Sequence, residues 1–216
     1  MLRDLYVTLP NGDSDKLSSA YSQYGENSVK ETIEDNLNIK IDHTVTFTMD
    51  GFESCIDQLG GTTVTLTTKE SDYLNNTNYI SKKQYRNTIE GEQHLNGNQV
   101  LGYLRIRQVP TADGDNGDYG RTRRLVQVWQ QLSKQVFQSD LPVILSLAKE
   151  VLPTIKTDLS ADEISEYLEA FSSQDTTLQN FCIPCVEDCN AQVIDGKSVL
   201  VTDLNAASIA LRAYME

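Results

Sequence analysis

Eight arginines stand among 216 residues, and five of them, Arg105, Arg107, Arg121, Arg123 and Arg124, fall within twenty positions. A guanidinium is a fixed cation whose planar fork grips phosphate or carboxylate oxygens two at a time. Residues 104–109 read as an extended segment. Arg105 and Arg107, two apart, then share one face, and Leu104 and Ile106 turn the other way into the core. Arg121 and Arg124, three apart at the start of a long helical pattern, also share a face. Arg123 points elsewhere. Between the pairs runs Asp113-Gly114-Asp115-Asn116-Gly117-Asp118-Tyr119-Gly120. This loop leads into a helix start, where free N–H groups and the helix dipole favour anions. Guanidiniums from two directions and a helix N-terminus make a phosphate or pyrophosphate cradle. The competing arrangement is that the arginines pair with the carboxylates of the same stretch. Against it, two guanidiniums on one face repel unless an anion comes between them. Asp118 is also well placed as the N-cap of the following helix. The loop is no EF-hand, because Gly117 and Asp118 fall at its fifth and sixth positions, where a calcium loop needs an acid and then glycine.

The rest of the composition narrows the choice of ligand. Net charge is −13, with 31 acidic against 18 basic residues, so nucleic acid is excluded as a general electrostatic partner. An apolar fraction of 39% and a charged fraction of 23% are those of an ordinary globular chain. At this length a core forms without disulfide or metal staples. No apolar run approaches the roughly 20 residues that span a bilayer, and no signal peptide precedes the first folded segment.

The elements that must position the arginines alternate. Val29, Ile33 and Leu37 mark a helical face; Val45, Phe47 and Met49 alternate with threonines as a strand with one buried face. Phe52, Cys55, Ile56 and Leu59 return to helical spacing, which Gly60-Gly61 stops. Val64 and Leu66 lie on another strand. Residues 69–92 look like a polar excursion with little core. Asn96-Gly97 opens a short helix through Leu101. A long amphipathic helix follows, with Leu125, Trp129, Leu132 and Val136 as its apolar stripe. Helices are expected near 142–151 and 161–171, the latter capped by Ser160 and Glu163. Residues 193–216 read as a hairpin or strand and then a terminal helix. The order implies one α/β domain over 1–216, an α/β/α sandwich with helices flanking a central mixed sheet. The opening Met1–Val7 looks like the end of a strand with nothing before it to pair with, as in a domain lacking its first strands.

Cys182, Cys185 and Cys189 crowd together while Cys55 stands alone. Four cysteines allow three full pairings, and the cluster lacks a fourth ligand for structural zinc. Cys55, on an apolar helix face, is read as a buried thiol. His43 and His94 are read as structural or surface residues.

Taken together, the motifs resemble the LytR-CpsA-Psr family. The resemblance rests on Arg3-Asp4-x-Tyr6-Val7, Lys16-Leu17-x-x-Ala20-Tyr21, Ile41-Asp42-His43, Asp50-Gly51-Phe52 and Gly60-Gly61 before the Val64 strand. It continues in Gly91-x-x-x-Leu95-Asn96-Gly97-x-Gln99-Val100-Leu101-x-Tyr103-x-Arg105-x-Arg107 and Asp118-Tyr119-Gly120-Arg121-x-x-Arg124, in order across residues 1–132. Residues 133–216 hold the C-terminal helices and the cysteine cluster.

The resemblance implies a phosphotransferase at the outer face of the cell membrane, in the cell wall of a Gram-positive bacterium. Such enzymes move teichoic acid or capsular polysaccharide from a polyprenyl-pyrophosphate carrier onto peptidoglycan. The implied partners are the lipid-linked glycopolymer, the peptidoglycan acceptor and, through the lipid, the membrane surface. It implies that Arg3, Arg105, Arg107 and Arg121 grip the pyrophosphate, with Arg3 and Arg107 as the catalytic arginines. Lys16 would lie near the head group, Asp118 would orient Arg121, and Arg124 would be a further contact. Magnesium is implied as a cofactor, but the family's metal-binding aspartates lie upstream of the Arg-Asp-x-Tyr motif, so no metal ligand is assigned here. No general base is assigned either; Asp4 is near the motif and is also placed to pair with Arg3. An apolar tunnel for the lipid would draw on Leu37, Ile39, Val45, Phe47, Phe52, Ile56 and Leu59, most of which serve equally as core. An extracellular setting would favour a disulfide within Cys182–Cys189. The chain departs from the family pattern at Leu125, where glutamine is usual, and at Ser18, where asparagine is. Leu125 fits the apolar stripe and is expected in the core. The alternative function is a relative that binds polyprenyl phosphate without turning it over.

Overall fold

The computed structural model describes residues 1–171, 182–185 and 188–215. They fall into two compact units, Met1–Asp42 with Asn180–Glu216 and His43–Gln179. In the first unit, β1 (Tyr6–Thr8) pairs antiparallel with β2 (Ser14–Lys16), Val7 opposite Asp15. Helices α1 (Leu17–Tyr24) and α2 (Glu26–Leu37) follow. The spacing of Val29 and Ile33 has the expected result: both pack on the cluster of Leu5, Val7, Leu9, Leu17 and Ala20. Asn38 ends α2 in the left-handed conformation (φ 48°), which its short polar side chain tolerates.

The second unit runs β3 (Val45–Phe47), α3 (Met49–Gln58), β4 (Thr62–Leu66), α4 (Thr68–Asn76), β5 (Gly91–Leu95), α5 (Gly97–Arg105), α6 (Gly117–Phe137), α7 (Leu141–Val151), β6 (Ile155–Thr157) and α8 (Ala161–Phe171). β4 pairs antiparallel with β5, and β3 with β6. The core gathers Ile56 from α3, Val64 and Leu66 from β4, Val100 and Tyr103 from α5, and Val128 and Leu132 from α6. Ser160 and Glu163 cap α8 reciprocally, as their spacing predicts.

Back in the first unit, β7 (Asn190–Ile194) and β8 (Lys197–Val201) form a hairpin that leads into α9 (Leu204–Met215). Leu200 on β8 donates its N–H to Asp4 O at 2.9 Å, which ties the hairpin to the opening residues. Arg212 on α9 donates to Asn38 O at 2.7 Å, closing the end of α2.

The α/β class holds, with helices and strands alternating. The described strands pair two by two in antiparallel pairs, and a parallel bridge between Leu5 and Leu200 joins the opening residues to β8. Four local expectations are corrected. Residues 69–92 are not a coreless excursion, because α4 buries Leu74 fully and the turn after it buries Ile80. Segment 104–109 is not extended throughout, since α5 continues to Arg105 on its buried Leu101 and Tyr103. β3 does not bury its alternating face: Val45 and Phe47 are exposed. On α6, Leu125 and Trp129 are 50% and 49% exposed; Leu132 is buried as expected, and its buried neighbours are Arg124 and Val128. The four cysteines form no disulfide in this structure. Burial pushes the Cys55 thiol upward, in keeping with a structural thiol. Among the described residues, no helix is long and apolar enough to cross a membrane.

Candidate functional site

Placement of the arginines begins at the start of α5. Asn96 accepts from Gln99 N while Gln99 returns a bond to Asn96 N, so the helix opens at a fixed residue. Gly97 then lies directly on α3: a Cβ there would stand 2.2 Å from Glu53 O, closer than any side chain can come. Asp57 on α3 accepts Gly97 N at 2.7 Å. With its first turn fixed, α5 carries Arg105 to its last position, and Ile106 turns to extended backbone and is fully buried.

Arg107 follows, and its Nη2 donates to Asp118 Oδ1 at 2.9 Å. Asp118 lies in the first turn of α6, whose N-cap is Asn116 and not Asp118. The Arg107 carbonyl accepts Gly117 N at 3.1 Å, so backbone and side chain both fasten Arg107 to the helix start. Arg123 donates to Asp115 at 2.8 Å.

Arg105 and Arg121 occupy different ground. Both line a groove of about 220 Å³ whose remaining wall is Thr48 and the apolar side chains Phe47, Met49, Phe52, Leu101, Leu104 and Leu125. Phe47 meets Phe52 edge to face, with ring centres 6.1 Å apart. The residues that fail to enter the core, Phe47 and Leu125, therefore make the wall of this groove. Burial would raise the Glu53 carboxyl, but hydrogen bonds from Lys82 and Asn98, with the charges of Lys82 and Arg105, hold it below the ordinary range.

Arg124 is corrected most. It is 0% exposed, and its three nitrogens donate to Glu70 Oε1, Ile106 O and Val109 O at 2.8, 3.0 and 2.7 Å. A buried guanidinium so engaged has no face for a pyrophosphate. It shares the α6 surface with Arg121 only loosely, one residue facing the core and the other the groove. In the same way, the same-face argument for Arg105 and Arg107 lapses once Arg105 is helical.

Arg3 and Lys16 belong to the first unit. Asp4 Oδ1 lies 3.3 Å from Lys16 Nζ and 3.7 Å from Arg3 Nε, so one carboxylate gathers both cations. His43 stands between Asp158 and Glu163 at 3.6 and 3.4 Å, a structural setting on the second unit. Of the apolar residues considered for a lipid tunnel, Ile56 and Leu37 are core, while Phe47 and Phe52 face the groove.

The structure adds Glu70 to the site's supporting residues. Its sequence signal was Thr67-x-x-Glu70, a capping-box spacing that the fold uses at α4. The pairing with Arg124, 54 residues away, has no local signal.

Asp4 and Asp118 are each engaged by basic side chains, and the described residues hold no group of three His, Cys, Asp or Glu side chains that could ligate a metal ion.

Comparison with known proteins gives the setting. The LytR_cpsA_psr family model matches residues 1–211. The chain is 33% identical over 177 residues to polyisoprenyl-teichoic acid–peptidoglycan teichoic acid transferase TagU of Enterococcus faecalis, a match covering 79% of this chain and 54% of TagU. It thus spans about half the length of that relative. Its fold matches the crystal structure of Bacillus subtilis TagV with a TM-score of 0.77 at 25% identity, over 100% of this chain and 81% of TagV. It also matches TagT, a B. subtilis protein, bound to LIIa-WTA, with a TM-score of 0.74 at 18% identity, over 99% of this chain and 75% of TagT.

Proposed function

The chain belongs to the LytR_cpsA_psr family, and from that premise we propose that it is a cell-envelope phosphotransferase that moves a glycopolymer from a polyprenyl-pyrophosphate carrier to peptidoglycan. One observation carries the proposal. Arg105 and Arg121 line a groove whose wall is otherwise mostly aromatic and aliphatic side chains, with Thr48 among them. That combination suits an amphiphile with a polyanionic head and an apolar tail, and a polyprenyl pyrophosphate is such a molecule. The name of TagU, a transferase of polyisoprenyl-linked teichoic acid, supports the same reaction class.

In the proposed reaction a hydroxyl of the acceptor sugar attacks the phosphorus that bears the glycopolymer. The anhydride P–O bond to the lipid phosphate breaks, a phosphodiester to the acceptor forms, and the hydroxyl proton passes to solvent. Polyprenyl phosphate leaves. Phosphoryl transfer needs positioning and neutralisation of the non-bridging oxygens more than covalent help. Arg105, Arg107 and Arg121 would supply that as fixed cations, with Asp118 holding Arg107 in register. Arg3 and Lys16 are proposed as head-group contacts of the first unit. The reaction belongs at the outer face of the membrane, where carrier and peptidoglycan meet.

A second reading is a binder that holds the lipid phosphate without turnover. Incubating the chain with a lipid-linked glycopolymer, peptidoglycan fragments and magnesium separates the two. Phosphodiester-linked product with release of polyprenyl phosphate is the expected outcome. Saturable binding without product would establish the binder.

A further inference from the structure

We propose that the buried Arg124–Glu70 pair is a positioning device for Arg107, a role distinct from contact with substrate; the inference rests on the reading of Arg107 as a pyrophosphate ligand. Both side chains are almost wholly withdrawn from water, at 0% and 2% exposure. A buried ion pair is a weak source of net stability, because desolvation offsets most of its attraction. Its geometry therefore calls for another explanation.

The geometry is a clamp. Arg124 Nη1 and Nη2 bind the carbonyls of Ile106 and Val109, which bracket Arg107 and Gln108, and Nε binds Glu70. This segment lies outside helix and strand, so the buried Ile106 carbonyl and the half-buried Val109 carbonyl take their partner from a side chain. Only a guanidinium offers donors in three directions of one plane at a fixed spacing. Glu70 is in turn immobilised: its Oε2 accepts Thr67 N and Thr67 Oγ1 at 2.8 and 3.1 Å, at the first turn of α4. Tyr103 lies against the guanidinium, whose carbon is 5.7 Å from the ring centre. Gly120 packs closely here: a Cβ would stand 2.7 Å from the Asp115 carbonyl oxygen and 3.2 Å from Arg124 Nη1. A chain of contacts thus runs from the start of α4 through Glu70 and Arg124 to the backbone on both sides of Arg107. From α6, Asp118 and Gly117 hold the Arg107 side chain and carbonyl. Arg107 is fixed from two helices, and Arg124 does its part without touching the ligand.

The test is calorimetric titration of the full chain with farnesyl pyrophosphate, with thermal melting to show that each variant is folded. Arg107→Ala is expected to weaken binding about tenfold or more, as loss of a charged hydrogen bond does. Arg124→Lys keeps the charge opposite Glu70 but cannot span both carbonyls. It is expected to weaken binding by roughly tenfold, and to have almost no further effect in the Arg107→Ala background, since the two act as one unit. Glu70→Leu with Arg124→Met replaces the pair by apolar volume and is expected to melt near the parent yet bind as poorly as Arg124→Lys. Should these unfold, Glu70→Gln, which keeps shape and an acceptor oxygen, is expected to weaken binding in the same non-additive way. Folded Arg124 variants that bind like the parent, or an Arg124→Lys effect undiminished in the Arg107→Ala background, would overturn the clamp while leaving the function standing. Parent-like binding by Arg107→Ala would instead remove Arg107 from the site, and the clamp's purpose with it.

Discussion

Two arginines three residues apart on α6 have opposite fates. Arg124 is sealed into the second unit's core against Glu70, while Arg121 lines a groove beside Arg105. The guanidiniums are chemically identical, so burial and partners alone separate their roles. The sealed one satisfies backbone carbonyls and the groove one meets whatever the groove holds. Charge clustered in sequence is therefore not one site: it divides into a knot that sets geometry and a rim that uses it. Arg107 lies at the junction, with its flanking carbonyls in the knot and its side chain on Asp118.

Substitutions should separate knot from rim, and the largest effect belongs to the knot. Arg124→Ala leaves Glu70 buried without its cation and should cost about 3–5 kcal/mol of stability by urea unfolding. Arg105→Ala, on the exposed rim, should stay within about 0.5 kcal/mol in the same experiment. Equal losses would erase the distinction. Next comes the junction: Arg107→Ala should cost about 1.5–3 kcal/mol of lipid-pyrophosphate affinity with little change in the melting temperature. A smaller effect is expected in the groove wall, where Leu125→Ser should lose about 1 kcal/mol of affinity for the prenylated ligand and none for inorganic pyrophosphate. A core role for Leu125 would show instead as a drop in stability.

The smallest effect is a pH dependence beside the rim. The folded Glu53 carboxyl lies below its unfolded value of 4.5. Its contribution to stability is complete above the unfolded value and is lost as the pH falls through the folded one. Urea midpoints measured from pH 6 downward should fall less steeply for Glu53→Gln than for the parent. Parallel curves would show that Lys82 and Asn98 contribute nothing through this carboxylate.

Much of this was legible in the sequence because it is local. The four-residue spacing of Val29 and Ile33 and the Ser160–Glu163 cap depend on neighbours within a turn or two, and both appear in the structure. The concentration of arginines is likewise local, and two of the five, Arg105 and Arg121, line one groove. What the sequence hid is non-local. An arginine in a helix reads as polar, so the spacing points to Leu125 and Trp129 beside Leu132, whereas Arg124 and Val128 share the buried face with Leu132. Only Glu70, 54 positions away, makes a buried Arg124 tolerable. Likewise Arg105 looked like part of a strand because nothing local says that buried Leu101 and Tyr103 will hold the helix for one more turn. The alternation of Val45 and Phe47 correctly marked a strand, but the burial it implied was absent, and Phe47 faces the groove instead.

The central claim is that arginine rim and apolar groove serve one amphiphilic ligand. Titrating the chain in parallel with farnesyl pyrophosphate, inorganic pyrophosphate and farnesol tests it most directly. Saturable binding of farnesyl pyrophosphate, well tighter than either half-molecule and weakened by both Arg105→Ala and Leu125→Ser, is the predicted result. Equal affinity for farnesyl pyrophosphate and inorganic pyrophosphate, or binding untouched by both substitutions, would contradict it.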